Sequence, residues 1–169
     1  MSEHPKTVVL GISGSIAAYK TPELIRLYKK AGYRVIPVLT EAGRRFVTTW
    51  TLRSVSGEAP IVGLFEKKFL NQPVRHIALA EEADLIVIAP ATANIIAKIS
   101  RGVADDFLST LVLSARSPVV LAPAMNIRMW RNKITQKNVA QLRRVGFHFI
   151  GPAQGNLLRG KRYRPDGSS

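Results

Sequence analysis

Three runs of apolar, largely β-branched residues constrain this chain more than anything else in it. They are Thr7-Val8-Val9-Leu10-Gly11-Ile12, Leu85-Ile86-Val87-Ile88-Ala89 and Val119-Val120-Leu121-Ala122. None of them alternates with polar residues. A strand that is apolar on successive positions is buried on both faces, which is the condition of a strand inside a parallel sheet covered by helices. Each run ends in small or turn-forming residues and then passes into a helical pattern. The expected fold is therefore α/β: a single domain, with a mostly parallel sheet and helices on both faces. Ligands of such sheets bind beyond the carboxyl ends of the strands.

The remaining elements fit between these runs. Gly11 to Ala18 reads as a strand, a Gly/Ser turn and a helix start, with the helix continuing to about Ala31 and Gly32 ending it. Such a turn offers backbone N–H groups and hydroxyls to an anion. It is neither Gly-x-Gly-x-x-Gly nor a P-loop, so it argues for a phosphate without naming the nucleotide. Tyr33 to Leu39 reads as a second strand, and Pro37 assigns it to an edge or a bulge. Thr40 is a plausible N-cap for the segment that follows. Thr51 to Val55 suggests a short helix, Pro60 to Val62 a short strand and Lys67 to Pro73 a loop. Arg75 to Asp84 reads as a helix ending in an acidic turn. Asp105 or Asp106 caps a helix from Phe107 to Ala115, a simpler reading of the paired carboxylates than acid–base chemistry. Lys133 to Val145 is helical, Gly146 ends it, and Phe147 to Ile150 is the last strand.

Length and composition narrow the function. A chain of 169 residues with 46% hydrophobic content is one domain with a real core. No apolar run approaches the roughly 20 residues of a membrane span, and the polar start does not resemble a signal peptide, so a cytoplasmic location is expected. Cysteine is absent, which excludes a disulfide framework, a thiolate metal site and a cysteine nucleophile; no metal site is expected. Net charge is +14, and beyond Asp106 the only acid is Asp166 against eleven Lys or Arg. Basic surfaces bind nucleic acid, phosphate or acidic peptides, or are simply solvated. No aromatics are interleaved with these charges to form a base-stacking platform, so no nucleic-acid partner is expected.

The segment Pro123-Ala124-Met125-Asn126-Ile127-Arg128-Met129-Trp130 carries more specific information. An Asn beyond a strand can offer its amide N–H to a ligand carboxylate and its carbonyl to a ligand amide. Packing of Met and Trp after a turn is the plain alternative. The octapeptide resembles the Pro-Ala-Met-Asn-x-x-Met-Trp signature of the flavin-dependent cysteine decarboxylases. These include phosphopantothenoylcysteine decarboxylase of coenzyme A synthesis and the peptidyl-cysteine decarboxylases that modify the C-termini of lantibiotic and related peptides. The similarity runs from about Thr7 to about Pro152. His76-Ile77-Ala78-Leu79-Ala80 resembles the family's His-Ile-x-Leu-Ala, and Pro90-Ala91-Thr92-Ala93-Asn94-Ile95 its Pro-Ala-Ser-Ala-Asn-Thr, with one hydroxyl lost at Ile95.

The resemblance implies roles. His76 would be the base, an imidazole being suited to proton removal at neutral pH. Asn126 would hold the substrate carboxylate or adjacent amide, with Met129 beside it. Ser13, Gly14, Ser15, Ile16 and Thr40 would hold the flavin phosphate, with Phe46 the aromatic near them. Ala91, Thr92, Ala93 and Asn94 would let backbone approach the flavin ring and ribityl chain, and Ala124 and Met125 would shape its pocket. The fold implied is Rossmann-like or flavodoxin-like, and the cofactor implied is FMN, or FAD. The assembly implied is a homo-trimer or homo-dodecamer with flavin sites shared between subunits, and the partner a precursor peptide with a C-terminal cysteine.

Gly151 to Gly160 resembles the Gly-Pro-x-Ser-Gly-x-Leu-Ala-Cys-Gly segment of the coenzyme A enzymes, and the family's reducing cysteine falls at Arg159. An arginine cannot reduce an enethiol, because it has no exchangeable thiol and stays protonated. The expectation is thus a flavoprotein domain over residues 1–152 and a basic C-terminal flap over 153–169 that closes over the substrate, with Arg159 among the substrate-binding residues. Its activity would be oxidative decarboxylation of a peptidyl cysteine to an aminoenethiol. Two alternatives stay open: a phosphopantothenoylcysteine decarboxylase-like enzyme lacking the cysteine, and a non-catalytic flavin-binding regulatory subunit.

Overall fold

The computed structural model describes residues 4–64 and 74–152. Five strands form one sheet: β1 (Thr7–Ile12), β2 (Arg34–Leu39), β3 (Leu85–Ala91), β4 (Val119–Pro123) and β5 (His148–Phe149). Their order is β2-β1-β3-β4-β5, and every pair is parallel. The chain turns outward in one direction from β1 and in the other from β3, so the switch point of the sheet lies between these two strands.

All six residues of β1 are buried, as its unbroken apolar run requires. Val8, Leu10 and Ile12 enter a core with Ile25 of α1 (Thr21–Lys30) and Leu52 of α2 (Thr49–Ser56). Val9 faces the opposite core, built with α3 (Arg75–Glu82), α4 (Ala93–Arg101), α5 (Phe107–Ser114) and α7 (Lys133–Arg144). Gly11 lets α5 close on β1: a Cβ there would stand 2.6 Å from Leu108 Cδ1. The remaining helix, α6 (Ile127–Arg131), is a short turn after β4.

Pro37 sits on edge strand β2, as expected. Its carbonyl accepts the Ile61 N–H at 3.0 Å on the open side of the sheet. The missing proline N–H thus costs no ladder bond with β1. Asp106 is the N-cap of α5, its carboxylate accepting the Ser109 N–H at 2.7 Å in a capping box.

Several expectations shift. The helix after the Gly/Ser turn begins as a 3-10 turn, Ile16–Lys20, capped by Ser15, before α1 starts. Thr40 accepts the Gly43 N–H at 3.1 Å, but what it opens is a 3-10 turn, Gly43–Arg45. Strand β3 runs on through Pro90 and Ala91, where its register with β4 shifts by a bulge. The last strand has two residues, fewer than expected. The loop assigned to Lys67–Pro73 and the basic C-terminal flap lie outside the described residues. Among the described residues no helix is long and apolar enough to cross a membrane.

Candidate active site

A cavity of about 520 Å³ opens beyond the carboxyl ends of β1 to β4. Four loops build it. Ser13, Gly14 and Ser15 follow β1, Thr40, Glu41 and Ala42 follow β2, Thr92, Ala93 and Asn94 follow β3, and Ala124 and Met125 follow β4. Ile95, Lys98, Asp106 and Met129 complete the wall. Its size is that of a small-molecule or cofactor site.

The β1 and β3 loops are bound to each other at the switch point. The buried Ser13 hydroxyl donates to the Pro90 carbonyl at 2.5 Å and accepts the Thr92 N–H at 3.1 Å. That hydroxyl is therefore structural and has no proton left for a ligand. Ser15 and Thr92 differ. Each accepts a backbone N–H, from Ala17 at 3.2 Å and Ile95 at 3.3 Å respectively, and so keeps its own proton to donate into the cavity. Gly14 holds the β1 and β2 loops in contact, since a Cβ there would meet the Ala42 Cβ at 2.5 Å. First-turn N–H groups of a helix have no partner inside the helix. Those of Ala93 and Asn94, at the start of α4, line the same space.

These donors fit an anion held by neutral groups. Lys98 is the one basic residue in the described lining, and its ammonium lies 2.8 Å from Asp105 and 3.2 Å from Asp106. The hydrogen bond to Asp105, then that to Asp106, holds the Lys98 pKa above its ordinary value against the opposing effect of burial. So although the chain carries +14 charges, the cavity wall is not a basic patch.

Most of the residues singled out from sequence meet here: Ser13, Gly14, Ser15, Thr40, Thr92, Ala93, Asn94, Ala124, Met125 and Met129. Others do not line the cavity. Ile16 and Phe46 are exposed. Ala91 is fully buried, and its carbonyl accepts the Ala124 N–H at 3.0 Å, so it ties β3 to β4 through backbone. Asn126 is exposed at the N-cap of α6, where its side-chain oxygen accepts the Arg128 N–H at 2.8 Å. That bond takes one of the two acceptor positions of the carbonyl and leaves the NH₂ to donate. His76 is half-buried in the first turn of α3, on a helix packed beside α5, and is absent from the cavity wall of its own chain. Arg159 lies outside the described residues. Sequence reasoning missed Glu41, Ala42, Lys98 and the cavity face of Asp106. The spacing of Asn94 and Lys98, four residues apart on one helix face, was the available signal.

An all-parallel sheet with a mostly neutral, amide-rich cavity at its switch point defines a doubly wound protein that binds a phosphorylated cofactor or similar anion. The profile of the Flavoprotein family matches residues 1–164, and the chain belongs to that family. It is 44% identical to the coenzyme A biosynthesis bifunctional protein CoaBC of Haemophilus influenzae over 98% of its own length, and 43% identical to that of Mycobacterium bovis over 90%. It spans only 42% and 36% of those relatives. Among solved structures it resembles the FMN-dependent cysteine decarboxylase SpaF (32% identity, TM-score 0.82, covering 94% of this chain and 90% of that one). It also resembles a cysteine-to-serine mutant of PPC decarboxylase complexed with pantothenoylaminoethenethiol (29% identity, TM-score 0.81, 94% and 88%).

Proposed function

We propose that this chain is an FMN-dependent decarboxylase that converts the C-terminal cysteine of a precursor peptide to an aminoenethiol. The observation that carries the flavin assignment is the cavity itself. The Gly14-Ser15 turn, the Thr92–Asn94 helix start and the side chains of Met125 and Met129 converge on one space at the switch point. Gly14, Ser15 and the β2 loop would hold the phosphate, Thr92 to Asn94 the ribityl chain and ring edge, and Met125 the ring face.

Oxidised FMN, when bound, supplies the acceptor for a hydride from the cysteine Cβ. The thiol proton passes to His76 as the Cβ–H bond breaks, leaving a thioaldehyde. The Asn126 NH₂ holds the substrate carboxylate beside that thiocarbonyl. Carbon dioxide then leaves, its bonding electrons entering the thiocarbonyl to give the enethiolate. The substrate would have lost two hydrogens and CO₂, the two electrons being those that bound FMN would accept. His76 would reach the cavity of a neighbouring copy in a homo-oligomer.

The full absence of cysteine supports the enethiol as the end product. An enethiol is the species bound by the PPC decarboxylase mutant in which a cysteine is replaced. The second reading, decarboxylation of phosphopantothenoylcysteine, is favoured by the 44% identity to CoaBC. Purified, flavin-loaded protein should be incubated separately with a peptide ending in cysteine and with phosphopantothenoylcysteine, and each product weighed. Loss of CO₂ and two hydrogens from the peptide alone supports the first reading. The same loss from the small molecule alone supports the second. No loss from either leaves the regulatory alternative.

A further inference from the structure

Two carboxylates line the cavity, Glu41 and Asp106, and each has a cation beside it. The pairs are not equivalent. Glu41 and Arg44, 3.3 Å apart, are 79% and 51% exposed, so water screens them. Lys98 and Asp106, 3.2 Å apart, are each only 23% exposed. Asp106 cannot swing away, because its other oxygen holds the Ser109 N–H at 2.7 Å as the cap of α5. Without Lys98 a fixed carboxylate would face a cavity whose anion donors are all neutral. The ammonium is meanwhile engaged by two carboxylates, and is poorly placed to grip an anion itself.

We infer that Lys98 sets the cavity's tolerance for anionic ligands by cancelling the charge of Asp106, and is a positioning residue for the cofactor phosphate without being its anchor. The inference rests on the flavin reading above. Its physical content is Coulombic repulsion between Asp106 and a phosphate dianion within one cavity, an interaction that salt weakens.

The test measures Kd for FMN and for riboflavin, which lacks the phosphate, by flavin fluorescence at low ionic strength. Lys98→Met should weaken FMN about tenfold, a size consistent with one uncancelled charge at cavity range, and leave riboflavin within about twofold. Lys98→Arg, which keeps the charge, should stay near wild type. Lys98→Met combined with Asp106→Asn should recover FMN binding, since Asn still caps α5 while the cavity-facing charge is gone; the Asp105 carboxylate that remains is outside the cavity wall and 58% exposed, so water screens it. A lost strut between α4 and α5 would not be rescued in this way. The inference is overturned if riboflavin weakens as much as FMN, if the double variant stays as weak as Lys98→Met, or if Lys98→Arg is equally impaired. If wild-type protein binds neither flavin, the flavin reading falls and takes the inference with it. If wild type binds FMN and Lys98→Met binds it equally well, only the inference falls.

Discussion

The Ser13 hydroxyl donates to the Pro90 carbonyl across the switch point of the sheet, joining two loops that are 77 residues apart in sequence. The same oxygen accepts the Thr92 N–H. One side chain, 2% exposed, therefore helps to set the distance between the β1 loop and the N-terminus of α4, together with the Ser13 backbone N–H, which donates to the same Pro90 carbonyl at 3.3 Å. Ser13→Ala removes both bonds and leaves the Thr92 N–H without its partner. An unsatisfied buried donor costs about 1–3 kcal/mol. Urea denaturation should show a loss of that size, and flavin affinity should fall with it, because the two walls of the cavity lose their registration. Unchanged stability would show that the Ser13 bonds are not what joins the loops.

Gly14 makes a second prediction. Its place against Ala42 leaves no room for a methyl group: the added Cβ would lie 2.5 Å from the Ala42 Cβ and 3.2 Å from the Ala42 carbonyl carbon. Part of that obstruction is backbone, so Gly14→Ala must push the β1 and β2 loops apart. Overpacking of this kind costs about 1–3 kcal/mol. The expected result is a lowered Tm together with loss of FMN binding. Gly32→Ala is the contrasting control. A Cβ at Gly32 meets nothing within 4 Å, but its φ of 88° strains any side chain, so it should lower Tm and leave flavin affinity intact.

What the sequence disclosed follows from which forces were local. The unbroken apolar runs of β1, β3 and β4 declared a parallel sheet, and the Asp105-Asp106 pair declared a capped start for α5, with Asp106 the cap in the structure, because burial and capping are written in adjacent residues. Pro37 narrowed its strand to an edge or a bulge, and the structure places it at the edge. Lys98 stayed hidden because its significance depends on two carboxylates seven and eight residues on, brought back across a helix end. The engagement of the Asn126 carbonyl was hidden as well, since the sequence does not show that α6 begins one residue later and takes that oxygen as its cap. His76 was legible only through its resemblance to a motif; within one chain, nothing about α3 directs it to the cavity.

The Lys98–Asp105 pair gives a pH dependence. The Lys98 ammonium, by hydrogen bond first and charge second, holds the Asp105 carboxyl below its ordinary range. A carboxyl with a depressed folded-state pKa contributes stability above its unfolded value, near pH 4, and loses it as pH falls through the folded value. Asp105 is largely in water, so the contribution is small. Lys98→Met should therefore be less stable than wild type at pH 6, and the gap should begin to narrow below about pH 4 and go on narrowing as pH falls through the lowered value of the wild-type Asp105 carboxyl. Denaturation midpoints measured across that range check the sign. A gap that widens on acidification would rule out the ion pair as its source.

Asn126 separates capping from substrate binding. Asn126→Asp keeps an oxygen for the Arg128 N–H, so α6 should remain capped and the Tm should move little. The NH₂ is replaced by a second carboxylate oxygen, which repels a substrate carboxylate. Decarboxylation should fall at least about a hundredfold, the scale seen when an electrostatic donor to a reacting group is lost. Asn126→Ala should lose activity and about 1 kcal/mol of stability together. Full activity in Asn126→Asp would remove this residue from the substrate site.

His76 and Asn126 provide the last test, because the single chain does not bring His76 to the cavity wall. If a neighbouring copy supplies the imidazole, a site needs His76 from one subunit and Asn126 from another. His76→Asn and Asn126→Asp should each be inactive as homo-oligomers. Co-expressed in equal amounts, they would assemble randomly, and about a quarter of the sites would pair an intact His76 with an intact Asn126. Activity near a quarter of wild type, with normal flavin content, would place the base across a subunit boundary. Mixed protein as inactive as its parents would require both groups to come from one chain, with α3 moving to deliver His76.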